Sequence, residues 1–171
     1  GMFMWTPTNK QVGSYTVNFT VTDSGTPALS DTKRVVITVT NPAPVATGQS
    51  VTLDEDTPKA IVLGVTDADG DALTYTIVNP PQHGTLSGTA PNLTYTPALN
   101  YNGTDSFSFK ANDGTVDSNT ATVSLTINPV NDQPVINVPP TQAVNETVAL
   151  SFTVSGMDVD TGQTLTFSAA N

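Results

Sequence analysis

The chain repeats itself at a step of about 90 residues, and the repeat is out of phase with the chain's own ends. Trp5-Thr6-Pro7 returns as Tyr95-Thr96-Pro97, Gly13-Ser14-Tyr15 as Gly103-Thr104-Asp105, and Asp23 as Asp113. Further on, Pro44 returns as Pro134, Glu55 as Glu146, and the pair Asp67/Asp69 as Asp158/Asp160. A step of this size is one small domain. It predicts a complete unit at 44–128, the C-terminal half of a unit at 1–41, and the N-terminal half of another at 134–171. Residue 171 falls near position 80 of the central unit and residue 1 near position 91, so the joined halves would lack only about ten residues of a second unit.

Within each unit the apolar residues alternate. Tyr15, Val17, Phe19 and Val21 are interleaved with Ser14, Thr16, Asn18 and Thr20, so one face of a strand is apolar and the other polar. Val35, Ile37 and Val39 continue the pattern after the turn signal Ser24-Gly25-Thr26-Pro27. A strand over 2–5 would precede them. In the central unit the strands fall at 50–53, 60–64, 73–78, 84–86, 93–96, 106–111 and 120–127, and in the last segment at 135–138, 148–154 and 165–168. No stretch has a useful helical period. Short strands separated by Gly- and Pro-rich turns predict an all-β, immunoglobulin-like Greek-key sandwich in tandem repeats. The stretches 41–44 and 128–134 each carry two prolines, which makes them short, stiff spacers.

Composition excludes several functions. Fifteen acidic residues against five basic ones give a net charge of −10, and no basic footprint for nucleic acid exists. The same charge disfavours an anionic membrane surface, and no apolar run is long enough to cross a bilayer. No leader pattern opens the sequence, and Gly1-Met2 reads as an added residue ahead of a start codon, with any natural leader outside the sequence. The absence of cysteine removes disulfides and thiolate metal sites, so each unit relies on its core.

The acids recur at matched offsets. Asp67-Ala68-Asp69-Gly70-Asp71 and Asp158-Val159-Asp160 each sit between strands, and Asp23 and Asp113 each end the strand that opens the last hairpin. Loops of a sandwich gather at its two ends, so the Asp-x-Asp loop and the later strand end can meet at one end, while Glu55 lies toward the other. Asp-x-Asp-Gly on its own is a turn, because Asp side chains hydrogen-bond nearby backbone. Repetition of the whole set points instead to a hard, oxygen-seeking cation, and Ca²⁺ suits carboxylates from separate segments. An EF-hand is excluded, since its glycine and bidentate glutamate positions hold Ala72 and Val78.

The run 21–30 with Val35-Val36-Ile37-Thr38-Val39 resembles the last two strands of a cadherin repeat. Leu53-Asp54-Glu55-Asp56-Thr57-Pro58, Asp67 to Asp71 and Tyr101-Asn102-Gly103-Thr104-Asp105-Ser106-Phe107 resemble the cadherin-like bacterial immunoglobulin repeats of large surface and secreted proteins. Phe3-Met4-Trp5-Thr6-Pro7-Thr8 and Leu165-Thr166-Phe167-Ser168-Ala169 are similar to the dystroglycan-type variant. The resemblance implies Ca²⁺ between consecutive units. It implies Glu55 as a basal acid, Asn131 and Asp132 in the linker, and Asp158 and Asp160 in the following unit, with Asp23 as a matching acid in the opposite half. For the junction above the central unit it implies Asp67, Asp69 and Asp113, with Asn41 in the linker and Glu146 as a basal acid. A second acidic motif of cadherins is missing, since no Asp or Glu lies between Ala72 and Thr104, which implies fewer ions and weak binding of about 10⁻⁴–10⁻³ M.

His83, the only histidine, sits in Pro80-Pro81-Gln82-His83-Gly84 without an activated nucleophile, and reads as a turn residue. Trp5 reads as core. The expectation is a non-catalytic, extracellular, calcium-binding stalk or adhesion module of a bacterial surface or secreted protein, with neighbouring repeats as partners. The alternative is an accessory module of a secreted glycoside hydrolase that touches polysaccharide, which an exposed aromatic row would favour. The bare faces of the two half-units predict self-association, with residues 134–171 of one molecule completing residues 2–40 of the next.

Overall fold

The computed structural model describes residues 1–8 and 11–170, and all regular structure among them is β. An N-terminal hairpin joins β1 (Gly13–Thr22) to β2 (Ser30–Val39), with Gly13 opposite Val39 and Thr22 opposite Ser30. Its polar face carries hydroxyl pairs, Thr20 with Thr32 and Thr22 with Ser30, each at 2.7 Å. Its other face carries the alternating Val17, Phe19 and Val21 predicted from the period of two.

A sandwich follows. Its strands are β3 (Val45–Thr47), β4 (Gln49–Asp54), β5 (Lys59–Val62), β6 (Gly64–Thr66), β7 (Thr74–Asn79), β8 (Gly84–Thr89), β9 (Asn92–Pro97), β10 (Gly103–Asn112) and β11 (Ala121–Asn128). One layer has the order β4-β11-β10-β7, and facing it are the pair β3-β6 and the triple β5-β9-β8. Every pairing is antiparallel except β4 with β11, so an early strand lies beside the last one. This is an immunoglobulin-like β-sandwich. In β11 the residues alternate strictly between buried and exposed, and Val123, Leu125 and Ile127 meet Phe107, Phe109, Leu53, Ile61 and Tyr95 in one core. Burying each such side chain contributes about 1.5–3 kcal/mol. Tyr95 is completely buried because residue 84 is glycine: a Cβ there would lie 2.5 Å from the tyrosine ring. The last segment has one small pair, β12 (Val135–Asn137) with β13 (Ser155–Met157).

Strands expected at 2–5, 148–154 and 165–168 are not formed. Their counterparts in the sandwich are β9, β5 and β7, and each of those is held by a neighbour: β9 by β5 and β8, β5 by β9, β7 by β10. Alternation prepares a strand, but ladder hydrogen bonds need a partner. The same lack of a covering layer leaves Phe3, Phe19, Val35, Phe152 and Phe167 exposed.

The repeat is visible in the backbone. Gly13 and Gly103 share φ values of 135° and 134° at the start of equivalent strands. Asp56 and Thr147, each one residue past a repeated glutamate, share positive φ of 57° and 66°. Side chains diverge within that common frame. The Tyr95 hydroxyl donates to Asp105 at 2.9 Å, whereas the corresponding Trp5 and Tyr15 meet edge to face with centroids 4.8 Å apart.

Candidate functional site

Residues 128–132 leave β11 and pass over the base of the sandwich. There the carboxylate of Glu55, 3% exposed, accepts the Val130 N–H at 2.7 Å and the Asn102 amide at 3.3 Å. The Glu55 N–H in turn donates to the Asn128 carbonyl at 2.9 Å, extending the β4–β11 register by one residue. On the far side of the linker, the Asp132 N–H donates to Asp160 at 2.7 Å, and Asp158 accepts the Asp160 N–H in a tight Asx turn. Gln163 donates to Asn131 at 2.6 Å. Glu55, Asn102, Asn131, Asp132 and Asp160 line one cleft of about 550 Å³.

The Asp132 Oδ2 atom is buried without a hydrogen-bond partner among the described residues. Burial pushes the Asp132 carboxyl above its usual range, and the carboxylates of Asp56, Asp160, Glu55 and Asp158 push it further. Asp56 belongs to this group although no repeat marked it: Thr147 stands at its counterpart, and Asp56 is positioned by accepting the Asn100 N–H at 2.9 Å. The run Asp54-Glu55-Asp56 was its available signal.

A second group lies at the other end of the sandwich. Asp67 accepts the N–H groups of Asp69 and Asp71 through Oδ1, while its Oδ2 is buried without a partner among the described residues. Asp113, 9% exposed, accepts the Thr115 and Val116 N–H groups through Oδ1 and the Asn41 amide through Oδ2 at 2.8 Å. These bonds, led by Val116, hold the Asp113 carboxyl below its usual range against the effect of burial. Burial and the charges of Asp67, Asp71 and Asp113 instead push Asp69 up. Asp69 also faces Thr8, Val12 and Thr40 across a groove to the N-terminal hairpin.

The structure therefore places Glu55, Asn131, Asp132, Asp158 and Asp160 around the 128–134 linker, and Asp67, Asp69, Asp113 and Asn41 around the 41–44 linker. Asp23 closes its own hairpin by accepting the Leu29 and Gly25 N–H groups, Leu29 doing most to lower its pKa. Glu146 is exposed in a turn of the last segment. Among the described residues, no three Asp, Glu or His side chains converge closely enough to enclose a metal ion. His83 stacks flat on Tyr101, with centroids 4.1 Å apart, and its backbone N–H donates to Asp105. Tyr95, Phe107 and Phe109 are core residues, and the exposed Phe3 and Phe19 belong to the face of the N-terminal hairpin. Among the described residues, no helix is long and apolar enough to cross a membrane.

A family model described as a bacterial Ig domain matches residues 41–126, half of the chain, and one described as a putative Ig domain matches residues 1–40. Integrin beta-like protein A of Dictyostelium discoideum is 30% identical over 179 aligned positions, which cover 93% of this chain and 9% of that protein. The chain thus spans a small part of its curated relative. Among solved structures, an endo-fucoidan hydrolase from glycoside hydrolase family 107 is 27% identical with a TM-score of 0.42, over 68% of this chain and 19% of that one. Extracellular cadherin domains 1–4 of protocadherin gamma B7 are 20% identical with a TM-score of 0.48, over 72% of this chain and 34% of that one.

Proposed function

The chain belongs to the bacterial Ig domain family, and on that footing we propose that it is a non-catalytic, extracellular stalk module in which Ca²⁺ stiffens the joints between repeats. The observation that carries this reading is the Asp132 Oδ2 atom, buried without a hydrogen-bond partner among the described residues and set among the carboxylates of both flanking segments. The carboxylates and the Asn131 amide offer oxygen donors, as a hard cation prefers, and Ca²⁺ accepts about 6–8 oxygens, charged or neutral, in irregular geometry. When bound, the ion supplies the positive charge that cancels repulsion across the linker. The protein's own residues prepare the joint. Glu55 fastens the start of the linker through Val130, and Asp160 fastens its end through Asp132, so both ends of the linker are tied to acids of the joint. Asp67, Asp69 and Asp113 would serve the upper joint in the same way, with Asn41 holding Asp113.

The test compares melting in millimolar Ca²⁺, Mg²⁺ and chelator, for the native protein and Asp132→Asn. Ca²⁺ should raise the melting temperature of the native protein, with Mg²⁺ doing much less. Asp132→Asn should melt higher than the native protein in chelator, because repulsion is relieved, and should lose the part of the Ca²⁺ response that arises at the 128–134 linker, keeping any part that arises at Asp67, Asp69 and Asp113. An unchanged melting curve for the native protein on adding Ca²⁺ would sink the reading.

We further propose division at 41–44 and 128–134, with self-association of the 171-residue protein through its half-units, 134–171 of one copy covering 2–40 of another. The sandwich is the template. Val123 is fully buried there, while Val35, at the equivalent place in β2, is 44% exposed. Light scattering should show concentration-dependent association that deletion of 134–171 abolishes. A strictly monomeric protein at high concentration would contradict it.

A further inference from the structure

We propose that Asn102 is a deamidation site whose conversion alters the start of the 128–134 linker, where Glu55 holds Val130. Asn102 is the only asparagine in the sequence followed by glycine. Asn41, Asn79 and Asn128 precede proline, which has no N–H to act as a nucleophile, and each remaining internal asparagine precedes a residue with a side chain. Deamidation begins when the following backbone nitrogen loses its proton and attacks the asparagine Cγ. A new bond forms between that nitrogen and Cγ, the bond from Cγ to Nδ2 breaks, and the amide nitrogen leaves as ammonia with the protons it needs. Water then opens the succinimide ring to aspartate or isoaspartate. The slow step requires close approach of two adjacent peptide units, which a side chain on the second residue hinders.

The fold leaves the asparagine of this dipeptide outside the ladder, while Gly103 opens β10 at its very end, opposite Ile127. Asn102 is exposed and lies outside the strands, in the turn just before β10. Gly103 is fixed as glycine for two reasons unrelated to deamidation: its φ is 134°, and a Cβ there would lie 3.2 Å from the Tyr101 hydroxyl. That hydroxyl is itself committed to the Thr104 carbonyl at 2.8 Å, so it does not give way readily. The Asn102 side chain is restrained by a long bond of 3.3 Å to Glu55 Oε2.

The consequence follows from that bond. Glu55 is almost wholly buried, and its carboxylate is satisfied by the Asn102 amide on one oxygen and the Val130 N–H on the other. Conversion replaces a donor with a second carboxylate facing the first, so a weak attraction becomes a repulsion at the base of the linker. This repulsion arises in the protein without bound ions, so it stands or falls separately from the calcium reading.

The experiment ages the purified protein in mildly alkaline buffer containing chelator, with peptide mapping by mass spectrometry and melting curves at intervals. Acid should appear at Asn102 before any other asparagine, and the melting temperature should fall in step. Fresh Asn102→Asp should already melt lower, by at least about 6 °C, as expected for loss of one hydrogen bond to a charged group in a domain of this size. Asn102→Gln keeps the amide but closes the cyclic imide less readily, and should hold its melting temperature through ageing. Faster conversion at another asparagine, or melting of Asn102→Asp indistinguishable from the native protein, would overturn the proposal.

Discussion

Asp105 is the most informative single position for stability. Its carboxylate accepts the Gln82 N–H at 3.0 Å, the His83 N–H at 2.9 Å, the Ser106 N–H at 2.8 Å and the Tyr95 hydroxyl at 2.9 Å. It thereby ties the turn before β8 to the start of β10 and caps the buried ring of Tyr95. Asp105→Ala removes the acceptor of the Gln82 and His83 N–H groups and leaves the Tyr95 hydroxyl, among the described residues, only the His83 carbonyl, at 3.3 Å. Each hydrogen bond to an ionised group contributes about 1.5–3 kcal/mol, and the losses are not additive, so we expect about 3–5 kcal/mol. That is a large part of the roughly 5–15 kcal/mol of a small domain. Tyr95→Phe keeps the ring and leaves Asp105 three donors, so it should cost about 1–2 kcal/mol, or roughly 5–10 °C in melting temperature. Calorimetry on the two single variants and the double would measure the coupling. Burial pushes the Asp105 carboxyl up, but the four hydrogen bonds together hold it below the usual range. Its folded value is therefore the depressed one. The stabilisation is complete above the ordinary carboxylate range and is lost as pH falls through the lower folded value, a limb that Asp105→Ala should lack. Melting within about 2 °C of the native protein for both single variants would refute the reasoning.

Three further outcomes follow from other contacts. Gly84→Ala drives a methyl group into the Tyr95 ring, so chemical denaturation should show a loss of at least about 1–3 kcal/mol. Asp69→Asn relieves the crowding that raises the Asp69 carboxyl, and should melt higher than the native protein in chelator at neutral pH, with the difference vanishing in acid. The β4–β11 register sets Leu53 opposite Ile127, whose counterparts in the two half-units are Val144 and Val39. A Val39→Cys/Val144→Cys variant should therefore form disulfides between molecules under oxidation, seen as a ladder on a non-reducing gel, and a product confined to single molecules would contradict assembly through the halves.

The domain type and the places where acids recur were legible along the chain because both depend on local order. A period of two in 14–21 needs only its own residues to define an apolar face, and the step from Asp67 to Asp158 needs only a count. The same reasoning could not tell that 2–5 and 165–168 would lack ladders, since a strand is completed by a partner supplied from elsewhere. Nor could it show Asp56 facing Asp132, 76 positions on, or Val130 bonded to Glu55, 75 positions back. Those meetings exist because β4 lies parallel to β11, which brings the turn after one strand to the linker that follows the other. Asn102 shows the division within one residue. Its glycine neighbour is plain in the sequence, but only the packed sandwich sets its amide against a buried carboxylate, because burial and long-range proximity are properties of the folded protein.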